Sequence, residues 1–260
     1  MTSLTMSWPL EALWEALSPT WPDLNLEAVP ETGSTNTVLL ERARGGDVAP
    51  ALLVAEHQTA GRGRMGRVWV AQPGDTLTFS LALPFQRRDL SGLSLVVGVA
   101  LARMLGGGVR LKWPNDLWIQ DPDSTAPGGW SKLGGILIEA VQMGDQRQVV
   151  IGIGLNVRRA PLPNTQGVQV LDDRWTAPML LQQSVLALVP ALRRFDAEGF
   201  APFRASFESL DLLRQQSLTT TLADLPSGIG AGVDMTGALQ LLTPDGLKTV
   251  HSGEVSVRPC

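Results

Sequence analysis

Between Gly61 and Arg67 the chain reads Gly-Arg-Gly-Arg-Met-Gly-Arg, three guanidinium groups interleaved with three glycines. Each guanidinium presents a planar fork of N–H donors that matches a phosphate or a carboxylate. The glycines let backbone N–H groups approach the same oxygens with no side chain in the way. The whole chain carries a formal net charge of −4, so the positive charge of this loop is local. Gly61, Gly63 and Gly66 also satisfy Gly-x-Gly-x-x-Gly, but a dinucleotide fingerprint requires the last glycine to open a helix. Val68-Trp69-Val70 and then Pro73-Gly74 follow instead, with no helical pattern. A solvated charged loop is the competing account of Arg62, Arg64 and Arg67; glycines in register with them favour a ligand.

Three further clusters offer polar chemistry. Lys112-Trp-Pro-Asn-Asp116 sets a strand end against a polar turn, with Asp116 able to receive a proton or orient an amine, although Asn-Asp after Pro is also ordinary turn chemistry. Lys132 precedes Leu-Gly-Gly-Ile-Leu-Ile, which puts its ammonium at the mouth of a buried strand, where a lysine is solvated unless an anion partners it. Gly152-Ile-Gly-Leu-Asn156 places two glycines in a strand, marking a bulge or close approach by a ligand or another backbone. Asn156 offers both donor and acceptor, as a nucleobase edge or a ureido group requires.

The elements that must hold these groups are legible around them. Glu31 to Asn36 has the residues of a helix cap, with the helix over Thr37 to Arg44 ended by Gly45-Gly46. Ala51 to Ala55 has strand length and leads into the Arg/Gly loop; Thr76 to Leu83 alternates like a strand after the Pro73-Gly74-Asp75 turn. Ser91 is placed to cap a helix from Gly92 to Leu105, stopped by Gly106 to Gly108. Val109 to Trp113 and Leu117 to Ile119 read as strands about the Pro114 turn. Asp121 to Ser131 reads as a surface loop, and Leu133 to Val141 and Gln148 to Val157 as buried strands. From Thr176 to about Leu212 apolar residues recur at helical spacing, with Pro190 expected to kink or divide the helix. Beyond Arg214 the texture turns to short β pieces, with a hairpin signal at Thr243-Pro-Asp-Gly246. These predict a small β-barrel that needs its neighbour for stability.

Composition bounds the rest. A length of 260 residues with 44% hydrophobic content predicts one large domain, residues 1–213, and a small appendage, residues 214–260. Residues 1–30 form an N-terminal extension holding Trp8, Trp14 and Trp21. The acidic balance argues against nucleic-acid binding. Cys260 is the only cysteine and His57 and His251 the only histidines, so neither an intrachain disulfide nor a zinc site is expected. No Lys or Arg precedes Arg42, which removes the basic region of a secretory signal. The longest apolar run, Leu93 to Leu105, contains Arg103 and falls short of the roughly 20 residues that span a bilayer. The expectation is a cytoplasmic protein without membrane contact.

In order along the chain, Glu31-Thr-Gly-Ser-Thr-Asn36, the run from Ala55 to Trp69, Lys112-Trp-Pro-Asn-Asp116, Lys132-Leu-Gly-Gly-Ile-Leu-Ile-Glu139 and Ile151-Gly-Ile-Gly-Leu-Asn156 resemble biotin protein ligases, also called biotin–acetyl-CoA-carboxylase ligases. The tail Ser252-Gly-Glu-Val-Ser-Val-Arg258 is similar to the end of that family's small C-terminal domain. The resemblance implies an α+β catalytic domain of the class II synthetase type with a central mixed sheet, followed by an SH3-like β-barrel. It implies ATP-dependent attachment of biotin to one lysine of a biotin carboxyl carrier domain, with ATP and biotin as substrates and Mg²⁺ as the ion. Carried over residue by residue, Ser34, Thr35, Asn36 and Gln58 would bind the ureido head of biotin or line its pocket. Gly61, Arg62, Gly63, Arg64 and Lys132 would hold the biotin carboxylate and the adenylate phosphate. Gly135, Gly152, Gly154 and Asn156 would face the nucleotide or the biotin pocket, with Trp69 packing under adenine. No protein metal ligand is implied, and a monomer or a homodimer is compatible with the pattern. Many relatives carry an N-terminal winged helix-turn-helix; the short segment before Ser34 here holds no basic residue, so DNA binding is not expected. The interval between Asp116 and Lys132 looks longer than in the family.

The implied chemistry requires such residues. For a carboxylate to attack an α-phosphate two anions must meet, and fixed cations with Mg²⁺ lower that repulsion. The biotinyl-adenylate so formed is a mixed anhydride that water destroys, so a loop that closes over it protects it. The acceptor lysine, with a reference pKa of about 10.4, must lose its proton to attack, a step in which Asp116 would orient the amine or a metal. A lipoate–protein ligase, sharing fold and adenylate chemistry, and a non-catalytic biotin sensor are the competing functions; the complete Arg/Gly run and Lys-Trp-Pro-Asn-Asp favour the biotin enzyme.

Overall fold

The computed structural model describes residues 6–122, 124, 127–143, 146–157, 175–225, 227–251 and 257–259. In chain order these form α1 (Leu10–Leu17), β1 (Asn25–Thr32), α2 (Thr35–Arg44), β2 (Ala51–Gln58), β3 (Thr76–Pro84), α3 (Leu93–Leu105), β4 (Arg110–Lys112), β5 (Asp116–Gln120), β6 (Trp130–Met143), β7 (Gln146–Asn156), α4 (Ala177–Glu198), α5 (Arg204–Glu208), β8 (Ser217–Thr220), β9 (Ser227–Val233), β10 (Leu239–Thr243), β11 (Gly246–Val250) and β12 (Val257–Pro259).

Strands β2, β3 and β7 are buried almost end to end, as central strands covered on both faces must be. Among the described residues they lie in the middle of a seven-stranded sheet of order β1-β2-β3-β7-β6-β5-β4. Only β1 and β2 run parallel; every other neighbouring pair is antiparallel, so the sheet is mixed. Period-two alternation divides its faces. Leu77, Phe79 and Leu81 of β3 and Ile151, Ile153 and Leu155 of β7 join α1, α3 and α4 in the main core. On the opposite face Leu39 and Leu40 of α2 pack on Ala51, Leu53, Ala82 and Val150. That second layer is short. Beyond it the same face carries Thr78, Ser80, Gly135, Gly152 and Gly154, too small to fill the space above the sheet.

The smaller sheet is antiparallel, of order β11-β10-β9-β8-β12. Its Leu218, Val233, Leu239 and Leu241 belong to the same apolar cluster as the large sheet. A polar bond crosses the seam as well, the Trp113 indole N–H donating to Gly237 O (3.0 Å); just before it Leu111 N–H donates to Leu210 O (2.8 Å) and Leu212 N–H to Leu111 O (2.9 Å), tying to β4 the segment that leads into the small sheet. No helix among the described residues is long and apolar enough to cross a membrane.

Several local expectations are corrected. The residue before α3 is Gly92 at φ +78, not a capping Ser91, and no side chain caps that helix. Serine has a Cβ, and a Cβ at position 92 would lie 2.6 Å from the Phe200 ring. The long helix keeps Pro190 inside but stops at Glu198; Gly199 at φ +76 turns the chain into a short 3₁₀ turn and then α5. The sequence 31–36 divides between the end of β1 and Ser34, which precedes α2 without a side-chain capping bond. The N-terminal segment supplies α1, whose Leu13 and Leu17 are core residues, and the edge strand β1. β6 begins at Trp130, inside the expected 121–131 loop; residues 123, 125 and 126 of that loop, the tail 252–256 and Cys260 lie outside the described residues.

Candidate active site

The uncovered part of the sheet is the floor of a cavity of about 150 Å³. At one end, the start of α2 meets the sheet through a chain of buried hydrogen bonds. Thr35 donates its N–H to Gln58 Oε1 (2.7 Å), its hydroxyl lies 2.6 Å from Ser80 Oγ, and Ser80 donates to Asn36 Oδ1 (2.6 Å). Asn36 in turn donates to Leu137 O (3.3 Å) and Glu139 Oε2 (3.0 Å). A Cβ on Gly152 would sit 2.2 Å from Asn36 Oδ1, so the missing side chain at 152 is what admits the amide. Every group here is locked in one orientation, and Ser34 at the head of the helix lines the same wall.

The Arg/Gly loop closes the other end. It is a narrow hairpin: Arg62 bridges Val68, Gly63 N–H donates to Arg67 O (2.7 Å) and Trp69 N–H to Gly61 O (2.9 Å). Met65 (φ +56) and Gly66 (φ +70) turn its tip. Gly61 is required by crowding, since a Cβ there would lie 2.3 Å from Trp69 O. This folding lays the Trp69 indole flat on β7 and β6. A Cβ on Gly154 would fall 2.4 Å from the ring and one on Gly135, its register partner, 3.5 Å from it. The indole Nε1 is buried with no hydrogen-bond partner among the described residues.

The cations converge on this space. Lys132 Nζ lies 2.6 Å from Asp116 Oδ1 and 5.8 Å above the Trp69 ring. Arg64 has its pKa lowered, chiefly because burial disfavours the charged form; Asp116 opposes that shift and Arg67 adds to it. Arg62 Nη2 lies 3.8 Å from Glu139 Oε1, and its Nη1 donates over a long 3.4 Å to Thr37 Oγ1.

Of the residues nominated from sequence, Ser34, Thr35, Asn36, Gln58, Arg62, Gly63, Arg64, Trp69, Asp116, Lys132, Gly135, Gly152 and Gly154 all line this one cavity. Gly61 and Asn156 stand beside it: Gly61 shapes the hairpin, and Asn156 donates to Lys132 O (3.1 Å), fixing the start of β6. Residues not nominated also take part. Thr78 and Asn115 line the wall, and Asn115 Nδ2 donates to Ile136 O (2.8 Å). Ser80 and Glu139 wire it together, each bonded to Asn36. Among the described residues no group of three or more His, Cys, Asp or Glu could hold a metal.

The arrangement offers fixed donors and acceptors at the Asn36 end, cationic side chains at Arg62, Arg64 and Lys132, and an aromatic face at Trp69. Comparisons with known proteins give the family. Residues 29–156 match the biotin/lipoate A/B protein ligase family and residues 224–258 the biotin protein ligase C-terminal domain. The chain is 35% identical to the bifunctional ligase/repressor BirA of Escherichia coli, over 90% of this chain and 74% of that one. It is 32% identical to the biotin–[acetyl-CoA-carboxylase] ligase of Paracoccus denitrificans, over 86% of this chain and 97% of that one. The structure of biotin protein ligase from Aquifex aeolicus in complex with biotin and ATP superimposes with a TM-score of 0.76 at 29% identity, covering 91% of this chain and 99% of that one.

Proposed function

We infer, since the chain belongs to the biotin protein ligase family, that it forms biotinyl-5′-AMP from biotin and ATP and transfers the biotinyl group to a lysine of a biotin carboxyl carrier domain. The observation that carries this reading is the convergence of Arg62, Arg64 and Lys132 on the cavity that Ser34, Thr35 and Asn36 close from the other side. The catalytic unit is residues 1–213 and the SH3-like domain residues 214–260. Its need for ATP suits a cytoplasmic setting.

The locked amides and hydroxyls at Ser34, Thr35, Asn36 and Gln58 receive the ureido head, whose donors and acceptors demand fixed partners. That places the valeryl carboxylate under the loop, where Arg62, Arg64 and Lys132 reduce its repulsion from the α-phosphate. A half-buried guanidinium such as Arg64 interacts more strongly with developing charge than a fully exposed one does. The carboxylate oxygen attacks the α-phosphorus and pyrophosphate leaves. Trp69, supported by Gly135 and Gly154, offers its face to adenine and blocks water from the anhydride. Asp116 is held by Lys132; when Lys132 turns to the phosphate, Asp116 is released to orient the incoming amine and take its proton. During adenylate formation Asp116 would hold Mg²⁺ together with the substrate phosphates, and the ion when bound would supply charge neutralisation on the triphosphate; the carboxylate serves the amine only in the later transfer, after pyrophosphate has left.

Incubating the protein with ATP, Mg²⁺, biotin and a recombinant carrier domain should add one biotinyl mass to the carrier, read by mass spectrometry. Pyrophosphate exchange that depends on lipoate and ignores biotin, or a carrier of unchanged mass, would reject the assignment.

A further inference from the structure

We propose that Glu139 is a positioning residue that sets the direction of the protons in the buried hydrogen-bond chain behind the uncharged end of the cavity, and so makes the Thr35 hydroxyl an acceptor for a ligand N–H. The proposal deepens the ligase reading and rests on it only for the identity of that N–H, a ureido nitrogen of biotin. A carboxylate has no proton to give. Glu139 Oε2 lies 3.0 Å from Asn36 Nδ2 and therefore accepts, and Leu137 O accepts from the same amide at 3.3 Å. Together they fix which way the Asn36 amide faces, with Oδ1 toward Ser80. Ser80 gives its one proton to this oxygen at 2.6 Å.

Thr35 Oγ1 and Ser80 Oγ lie 2.6 Å apart, a separation that needs a proton between them. Ser80 has none left, so Thr35 donates. Gln58 Oε1, 3.2 Å from the same hydroxyl, receives the Thr35 N–H at 2.7 Å instead. The Thr35 hydroxyl thus keeps only lone pairs for the cavity that it lines. The bond from Thr35 N–H also orients the Gln58 amide, whose Nε2 lies beside the root of the Arg/Gly loop, 3.2 Å from where a Cβ on Gly61 would stand. An acceptor at Thr35 next to a donor at Gln58 matches the N–H and C=O of a urea edge. Asn36 has both amide atoms bonded within the wall, so it acts through Thr35, and Glu139 acts through Asn36.

Neutron diffraction from deuterium-exchanged crystals of the protein reads the chain directly and needs no ligand. Deuterium on Thr35 Oγ1 directed at Ser80, and on Ser80 Oγ directed at Asn36, is the expected result; the opposite order overturns the proposal. With biotin bound, a ureido N–D should point at Thr35 Oγ1, and a Thr35 deuterium turned to the ligand overturns it equally. Exchanging the charge tests the part played by Glu139. Asn36→Asp sets two carboxylates face to face and should raise the KM for biotin in pyrophosphate exchange about tenfold or more. Glu139→Gln, whose oxygen still accepts from Asn36, should change it less than about threefold. In the double variant Asn36→Asp with Glu139→Gln the amide and the carboxylate trade places and the new carboxylate again accepts from Ser80. The KM should then return to within about fivefold of the parent, held short of full recovery by Leu137 O. The Tm of the protein without ligand should fall and recover in step. A role for Glu139 in shape alone leaves Asn36→Asp equally impaired in both backgrounds, which overturns the proposal. Absence of biotin-dependent pyrophosphate exchange in the parent would instead reject the ligase reading, and the diffraction and the Tm series would still decide the direction of the chain and the role of Glu139.

Discussion

Gly152 and Gly154 lie two residues apart on one strand yet face different partners, the Asn36 amide and the Trp69 ring. Single methyl groups therefore probe the two ends of the cavity separately. Gly152→Ala should raise the KM for biotin tenfold or more, about 1.4 kcal/mol of binding, by displacing Asn36. Gly154→Ala should act mainly on the KM for ATP, by lifting the indole. Steady-state kinetics with each substrate varied in turn would show this, and the reverse pattern would contradict the orientation assigned to the ligands. Arg64 belongs to the Arg/Gly loop and lines the cavity from that side. Arg64→Gly should speed release of the adenylate by about an order of magnitude, near 1.4 kcal/mol, with the KM for biotin held within roughly twofold. Release no faster than in the parent would count against a phosphate contact at Arg64.

At the scale of elements, Gly92 shows how a backbone position constrains sequence without touching the site. Its φ of +78 and the 2.6 Å approach of Phe200 leave no room for a Cβ. Gly92→Ala should lower stability by about 1–3 kcal/mol, seen as a drop in Tm, with the KM for biotin unchanged. This glycine also explains why sequence misplaced the start of α3. Ser91 has the chemistry of a cap, but the turn needed a left-handed residue one step later, and contact with Phe200, distant in sequence, decided the matter. Strands β2, β3 and β7 were legible because burial on both faces gives β2 and β7 apolar runs of strand length and gives β3 a clear alternation. β1 was hidden: as a half-buried edge strand it mixes Glu27, Glu31 and Pro30 with its apolar residues. The loop arginines, Lys132 and the glycines of the site were legible from residue type. Ser80 and Glu139 were missed because a single polar residue in a strand acquires meaning only once its neighbours across the sheet are known.

The whole molecule is held together at a seam that is chemically unusual at Asp211. Its carboxyl is pushed up to about 6, first by burial, with the Leu213 N–H and Arg214 opposing that rise and Glu208 adding to it. One of its oxygens, Oδ2, is buried without a partner among the described residues. A folded-state pKa above the ordinary value of 3.8 means that the native state holds the proton more tightly. The associated stability is complete below about pH 3.8 and is lost as pH rises through 6. Asp211→Asn, which retains an acceptor for Leu213 N–H, should therefore melt above the parent at pH 8, by at most roughly 3 kcal/mol, with the difference closing near pH 4. Calorimetry across that range gives the check, and a parent more stable than the variant at pH 8 would contradict the burial argument. The same seam sets a rule for hybrids. A chimera that takes the large sheet from one parent and the small one from another inherits Trp113 and Gly92 on one side and Gly237 on the other, although the indole of Trp113 bonds to Gly237 O and a Cβ at 237 would lie 2.8 Å from Gly92 Cα. Crossover points chosen at the linker alone would thus split a matched set, and shuffled progeny should survive only when those three positions descend from the same ancestor.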